Sequence, residues 1–270
     1  MRTIAISAAV ILLCGVCLWM AVPQPPLTGQ PALLSGGAND PWRERPEYKQ
    51  GDETLFRIYP DPNLAAGKPF GYLFNFQAPF SVFAGKELTI TAQHKETGMK
   101  LTALGPRTIT EPSPGYPGLQ RFGVNFGLPL GGLWRFEVDL DGRFYGDAVL
   151  PVAEPSWEVS PEFVSGTYTM RGISKKVGFI DAGFTAGKPN KYMWHFWGTE
   201  EELDGPFAVK AVKQGSTDII DVFTVDALAG ELNGADRHAP STMVLPSPGR
   251  WLLMAYVGDR LFGAVVVEVK

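Results

Sequence analysis

The chain has 270 residues, 45% of them hydrophobic, and a formal net charge of -4. That length holds two ordinary domains with cores of their own, and the acidic balance lacks the basic footprint that nucleic-acid binding requires. The only cysteines are Cys14 and Cys17, so the chain beyond them has no disulfide, cysteine nucleophile or thiolate metal site.

The first element is Thr3 to Val22, a run without a charge that follows Arg2; the next charged residue is Asp40. As a helix it spans about 30 Å, the thickness of a bilayer core, and the positive side stays inside. The segment (1–22) reads as an uncleaved anchor, a cleaved signal peptide, or a lipoprotein signal around Cys17. Each reading makes the membrane the first partner and puts the rest of the chain outside the cytoplasm. Residues 23–51 follow as a tether. Pro23, Pro25, Pro26, Pro31, Pro41 and Pro46, with Gly29, Gly36 and Gly37, disfavour a packed element there.

Next comes a region read as one β-sandwich, 52–153. Trp134, Phe136, Val138 and Leu140 alternate with Arg135, Glu137 and Asp139, the period of a strand with one buried face. Asp141-Gly142 makes a tight hairpin turn, and the following strand buries Ala148, Leu150 and Val152. The join falls near Ala153-Glu154-Pro155. A second sandwich, 154–270, repeats the design: Trp251, Leu253, Ala255 and Val257 point inward, a turn falls near Gly258-Asp259, and Val265, Val267 and Val269 close the core.

The two regions are copies of one another. Ala66-Gly67-Lys68-Pro69 with Tyr72-Leu73-Phe74-Asn75-Phe76 returns as Ala186-Gly187-Lys188-Pro189 with Tyr192-Met193-Trp194-His195-Phe196. Leu128-Pro129, Gly132, Trp134 and Gly146 return as Leu245-Pro246, Gly249, Trp251 and Gly263. Short strands, turn signals and the lack of a long amphipathic helix predict an all-β chain: two tandem immunoglobulin-like antiparallel β-sandwiches after an N-terminal transmembrane or signal helix.

The outward faces differ between the copies. Arg135, Glu137 and Asp139 become Leu252, Met254 and Tyr256, and Leu73, Asn75 and Gln77 become Met193, His195 and Trp197. Two strands of the second copy are thus apolar on both faces. Either loops and the neighbouring domain cover them or they form a partner-binding surface.

Chemistry is sparse. Asp236 and His238, with Ser241, offer an acid, a base and a hydroxyl, but nothing in the sequence supplies the rigid nucleophile turn and oxyanion donors of a triad. Asp236 reads instead as a loop-fixing residue. Glu200-Glu201-Glu202-Leu203-Asp204-Gly205 lacks calcium-loop spacing and reads as a solvated turn. No metal or cofactor is expected.

Gly178-Phe179-Ile180-Asp181, Ala186-Gly187-Lys188, the run Lys191 to Gly198, Gly234-Ala235-Asp236, His238, Pro240-Ser241, Leu245-Pro246 and Leu261-Phe262-Gly263 resemble a family of Bacillus-type exported proteins and lipoproteins. That family carries a domain of unknown function, number 4871. The resemblance covers about Trp157 to Lys270. It implies an immunoglobulin-like sandwich at the cell envelope and transfers no catalytic residue.

The sequence thus predicts a membrane-tethered extracytoplasmic binding or scaffolding protein, not an enzyme, with an envelope protein or a glycan as partner and no nucleic acid. One alternative is an envelope enzyme or metal-dependent factor with its site at Asp236 and His238. Another is a glycan or peptidoglycan module that stacks sugars on Trp194, Trp197 and Tyr256.

Overall fold

A computed structural model describes residues 40–112 and 120–270. The segment 1–22 and the tether as far as residue 39 lie outside these residues. Asp40–Lys270 forms one compact unit. Its first half runs β1 (Glu47–Gln50), β2 (Glu53–Pro60), β3 (Pro69–Phe76), β4 (Glu87–His94), β5 (Lys100–Thr108), β6 (Gln120–Gly127), β7 (Gly132–Leu140) and β8 (Arg143–Val152). The second half runs β9 (Glu162–Ser165), β10 (Tyr168–Ile173), β11 (Val177–Ile180), β12 (Asn190–Phe196), β13 (Phe207–Lys213), β14 (Ile219–Val225), β15 (Arg237–Met243), β16 (Gly249–Val257) and β17 (Arg260–Val269). The sole helical element among the described residues is a short 3-10 turn, Phe80–Val82. No helix there is long and apolar enough to cross a membrane.

Every named strand pairing is antiparallel, and the sheets repeat. The first half pairs β1-β2-β3-β6 with β5-β4-β7-β8; the second pairs β9-β10-β11-β12-β15 with β14-β13-β16-β17. Removing β9 makes the two orders identical. The inward sets of β7, β8, β16 and β17 are those the alternation predicts. Phe56, Tyr72, Phe74, Trp134 and Phe136 fill the first core, and Phe179, Trp194, Phe207, Trp251 and Leu253 fill the second. Each such side chain contributes about 1.5–3 kcal/mol by leaving water. Trp134 and Trp251 are buried alike. Each indole N–H donates to a carbonyl four residues back, Leu130 at 2.9 Å and Ser247 at 3.0 Å. The β7–β8 hairpin turns on Asp141 (φ 51°) and Gly142 (φ 69°), the paired positive values of a type I′ turn.

One boundary differs from the expectation. The predicted tether extends to residue 51, yet its last part is folded. Arg45 exchanges both backbone hydrogen bonds with Val149, at 2.9 and 2.8 Å, and forms an ion pair with Asp147 at 2.7 Å. Trp42 lies against the Arg135 guanidinium, and Glu47–Gln50 is an edge strand. The prolines at 41 and 46 mask this, because the edge strand takes its partner from β2, and Arg45 before it takes its own from β8, rather than from local periodicity. The second half protects the edge of β17 in the same way. Ser160 donates its amide to Val266 O at 3.0 Å, and its Oγ accepts the Val266 amide at 2.9 Å. Unpaired edges would otherwise invite association.

The doubly apolar strand β16 is explained by the neighbouring half. Its outward residues Leu252 (3% exposed), Met254 (0%) and the partly buried Tyr256 belong to the hydrophobic cluster of the first half, together with Val212, Leu261 and Val266. Glycines of the first half permit the approach. A Cβ on Gly67 would sit 3.0 Å from Leu252 Cδ2, and one on Gly127 would sit 2.6 Å from Leu261 Cδ2. Leu252, Met254 and Tyr256 are therefore seam residues and not a free partner-binding surface. Three apolar side chains facing water would be costly, and the adjacent half supplies the cover.

Candidate functional site

With that face inside the seam, the remaining candidates converge on the outer face of the five-stranded sheet. Register does this. His195 on β12 lies directly opposite His238 on β15, and in an antiparallel pair directly opposed side chains share a face. On the same face of β12 lie Met193 and Trp197. Gly178 of β11 opposes His195 from the other side. Having no side chain, it admits the Phe163 ring of β9, which a Cβ there would meet at 2.8 Å. Phe163 in turn meets Trp197 edge to face, with centroids 5.8 Å apart.

Residues 226–236, between β14 and β15, fold back over this face. Ala229 and His238 exchange backbone hydrogen bonds at 2.8 and 3.1 Å, and Leu232 and Ala235 do so at 3.1 and 2.9 Å. Between the latter pair, Asn233 (φ 52°) and Gly234 (φ 80°) form the turn, an Asn-Gly pair suited to two positive φ values. Side chains then fasten the loop. The Trp197 indole N–H donates to Gly234 O at 2.6 Å, the Ser165 hydroxyl donates to Asn233 O at 3.0 Å, and the Gly198 amide donates to Asp236 Oδ2 at 2.9 Å.

His195 is fully buried (0% exposed) under this loop. Its Nδ1 lies 3.0 Å from Met193 O. A carbonyl only accepts, so Nδ1 carries the proton and the neutral ring leaves Nε2 as an acceptor. Asn233 Nδ2 sits 3.1 Å from that Nε2 and donates to it. Burial holds the His195 pKa below the ordinary histidine value; the Met193 carbonyl opposes the shift and His238 adds to it. His238 is partly buried, and its Nδ1 donates to Gly230 O at 2.7 Å.

No triad assembles. Asp236 spends its carboxylate on the Gly198 amide. Ser241 alternates to the other face of β15, where it is buried and its hydroxyl donates to Tyr192 O at 3.4 Å. The histidine and the hydroxyl are thus separated by the sheet itself. The proposed sugar-stacking row fails for a similar reason: Trp194 is a core residue, Tyr256 lies in the seam, and Trp197 is held by the loop. Among the described residues no cluster of three or more His, Cys, Asp or Glu is arranged to hold a metal ion. In the acidic turn, Glu202 caps the Thr199 amide at 3.0 Å, and that hydrogen bond lowers its pKa.

Residues 151–267 match the model of a protein family described as Domain of unknown function (DUF4871).

The DUF4871 match takes in every residue of the His195–His238 cluster and the whole β9–β17 unit apart from its last two residues. It is the family that the motif run from Gly178 to Gly263 resembles. No curated protein matches the chain. Among solved structures, the chain is similar to a candidate lipoprotein from Bacillus anthracis, with 26% identity over 43% of this chain and 87% of that one and a TM-score of 0.36. It is also similar to red sea bream transglutaminase, with 11% identity over 81% of this chain and 32% of that one and a TM-score of 0.21.

Sequence reasoning did not find Asn233 or the partnership of the two histidines. The Asn-Gly pair was a readable turn signal, but only the β12–β15 register places its amide on His195. Arg171 was missed as well. It joins Asp181, Glu162 and the Ser160 carbonyl beside a cleft of about 550 Å³ that Lys188 and Asn190 also line. Nothing local in the sequence marks that arginine.

Proposed function

We propose that this chain is an extracytoplasmic binding or scaffolding protein tethered to the membrane by its N-terminal segment. Two immunoglobulin-like sandwiches, joined as one body, carry its interaction surfaces. The observation that supports this best is the seam. A binding module that must hold its surfaces at a fixed spacing needs its two sandwiches coupled, and Leu252, Met254, Leu261 and Val266 are spent on coupling them. Strand order supports the immunoglobulin-like reading. A three-strand core, β2-β3-β6, faces β5-β4-β7-β8, and the second half repeats the arrangement. The uncharged run Thr3–Val22 behind Arg2 supports the membrane tether. The surface left for an envelope protein or glycan partner is the outer face of the second half's five-stranded sheet, around Trp197 and Phe163.

Protease added to cells stripped of their wall tests the placement. Cleavage in residues 23–39 should release a resistant fragment beginning near Asp40, since the compact unit starts there. Full protection of the chain until the cells are lysed would overturn the reading.

A further inference from the structure

The two halves treat one pair of positions differently. In the first half Asn75 lies opposite Arg121, whose Nε–H donates to Asn75 Oδ1 at 3.3 Å. The second half puts His195 and His238 in the equivalent register. An amide facing a guanidinium has become two facing imidazoles, and the buried one, His195, lies beneath a loop.

We propose that residues 226–236 are a lid over the outer face of β12, released when His195 takes up a proton. The closed geometry requires neutral His195. Nε2 must accept from Asn233, and a protonated ring would aim a second N–H at the Asn233 amide group. Turning that amide end for end would offer its oxygen, but the charge would still be buried with no carboxylate on the ring. The groups around it are few. β15 presents His238, a second imidazole. β9 and β11 present Phe163 and Gly178, and β12 presents Met193 and Trp197. On the loop, Asp226 and Glu231 are exposed, and Asp236 is engaged with Gly198. Arg237 follows its register partner Phe196 toward the opposite face.

The sign follows from linkage. The closed lid binds the proton less well than an open, hydrated imidazole, whose ordinary pKa is about 6.5. Closure is therefore complete above that value and weakens as pH falls through it, with the open population rising up to about tenfold per pH unit. Opening would free Trp197 from Gly234 and uncover the His195 ring beside the partly buried Phe163 and Met193, widening an apolar and aromatic patch suited to a partner.

Amide exchange of the full chain at pH 7.5 and 5.5, corrected for the intrinsic pH dependence of exchange, tests this. The amides of Asp236 and His238 should lose about tenfold in protection at the lower pH, while those of β7 in the first half stay constant. His195→Gln should abolish the pH effect. Asn233→Asp, at the turn, should reverse it, because a carboxylate facing the ring favours the imidazolium. Unchanged protection in the wild-type chain would overturn the proposal. So would the same acid-induced loss in His195→Gln, which would move the titration to another group, or in Asn233→Asp.

Discussion

The outer faces of β7 and β16 are the same part of the same fold, and they have opposite chemistry. In β7, Arg135, Glu137 and Asp139 face outward; Arg135 reaches Gln93 at 3.0 Å and lies over Trp42. In β16, Leu252 and Met254 are as buried as core residues. Duplication produced two equivalent faces, and burial of one against the other copy changed what its residues must do. An apolar residue on a strand's second face is therefore evidence of a neighbour, and here the neighbour is within the chain.

The largest effect should come from the cores that both halves share. Trp134→Ala and Trp251→Ala should each destabilise by about 3–5 kcal/mol, measured by denaturant unfolding. A loss below about 1 kcal/mol at either site would break the equivalence of the halves.

A smaller effect separates them. Gly67 (φ 80°) and Gly187 (φ 69°) are equivalent and hold the same hydrogen bonds, to Leu128 O and Leu245 O, both at 2.8 Å. Replacement by alanine costs both about 1–2 kcal/mol of left-handed backbone strain. Only Gly67 has Leu252 and Ala264 above it; Gly187 has nothing within 4 Å. Gly67→Ala should therefore be the more damaging by about 1 kcal/mol or more. Equal losses in thermal unfolding would remove the seam from that site.

Tyrosine ionisation sharpens the comparison further. Burial in the seam pushes the Tyr256 pKa up to about 12. A raised folded-state value means that its stabilising contribution is complete below the ordinary value near 10 and is lost as pH climbs toward 12. Ultraviolet titration of Leu252→Arg, which opens the seam, should show one more tyrosine ionising near pH 10 than the unmodified chain does. The smallest effect belongs to exposed charge. Lys210 and Asp221 form a surface pair at 2.8 Å, and Asp221→Asn should change stability by less than about 1 kcal/mol.

Much of this fold was legible in the sequence because it rests on local rules. Period-two alternation gave the inward faces of β7, β8, β16 and β17. Asp141-Gly142 gave a turn whose φ values are those required, and the repeated Ala-Gly-Lys-Pro blocks showed two copies of one design. What the sequence hid depends on pairing across distance. β1 is only Glu47–Gln50, too short for alternation to register, and β9 has no counterpart in the first half. Leu252, Met254 and Tyr256 were recognisable as covered, but the sequence left open whether loops, the other half or a partner covered them. The candidate site was legible as separate residues and not as a cluster. His195, Trp197, Asp236 and His238 were each singled out, whereas their meeting under Asn233 depends on the β12–β15 register and on a loop that folds back onto its own strand.

Coupling across the seam is the point on which the rest depends, and a double-mutant cycle between Gly127 and Leu261 tests it most directly. Gly127 lies in the first half and its backbone is not left-handed, so Gly127→Ala adds only a methyl group, 2.6 Å from Leu261 Cδ2. Leu261→Ala removes the atom it meets. If the halves are packed together here, each change destabilises alone and the double variant loses less than their sum by about 1 kcal/mol or more. Losses that add to within about 0.5 kcal/mol would show that the two residues do not touch, and would contradict the seam.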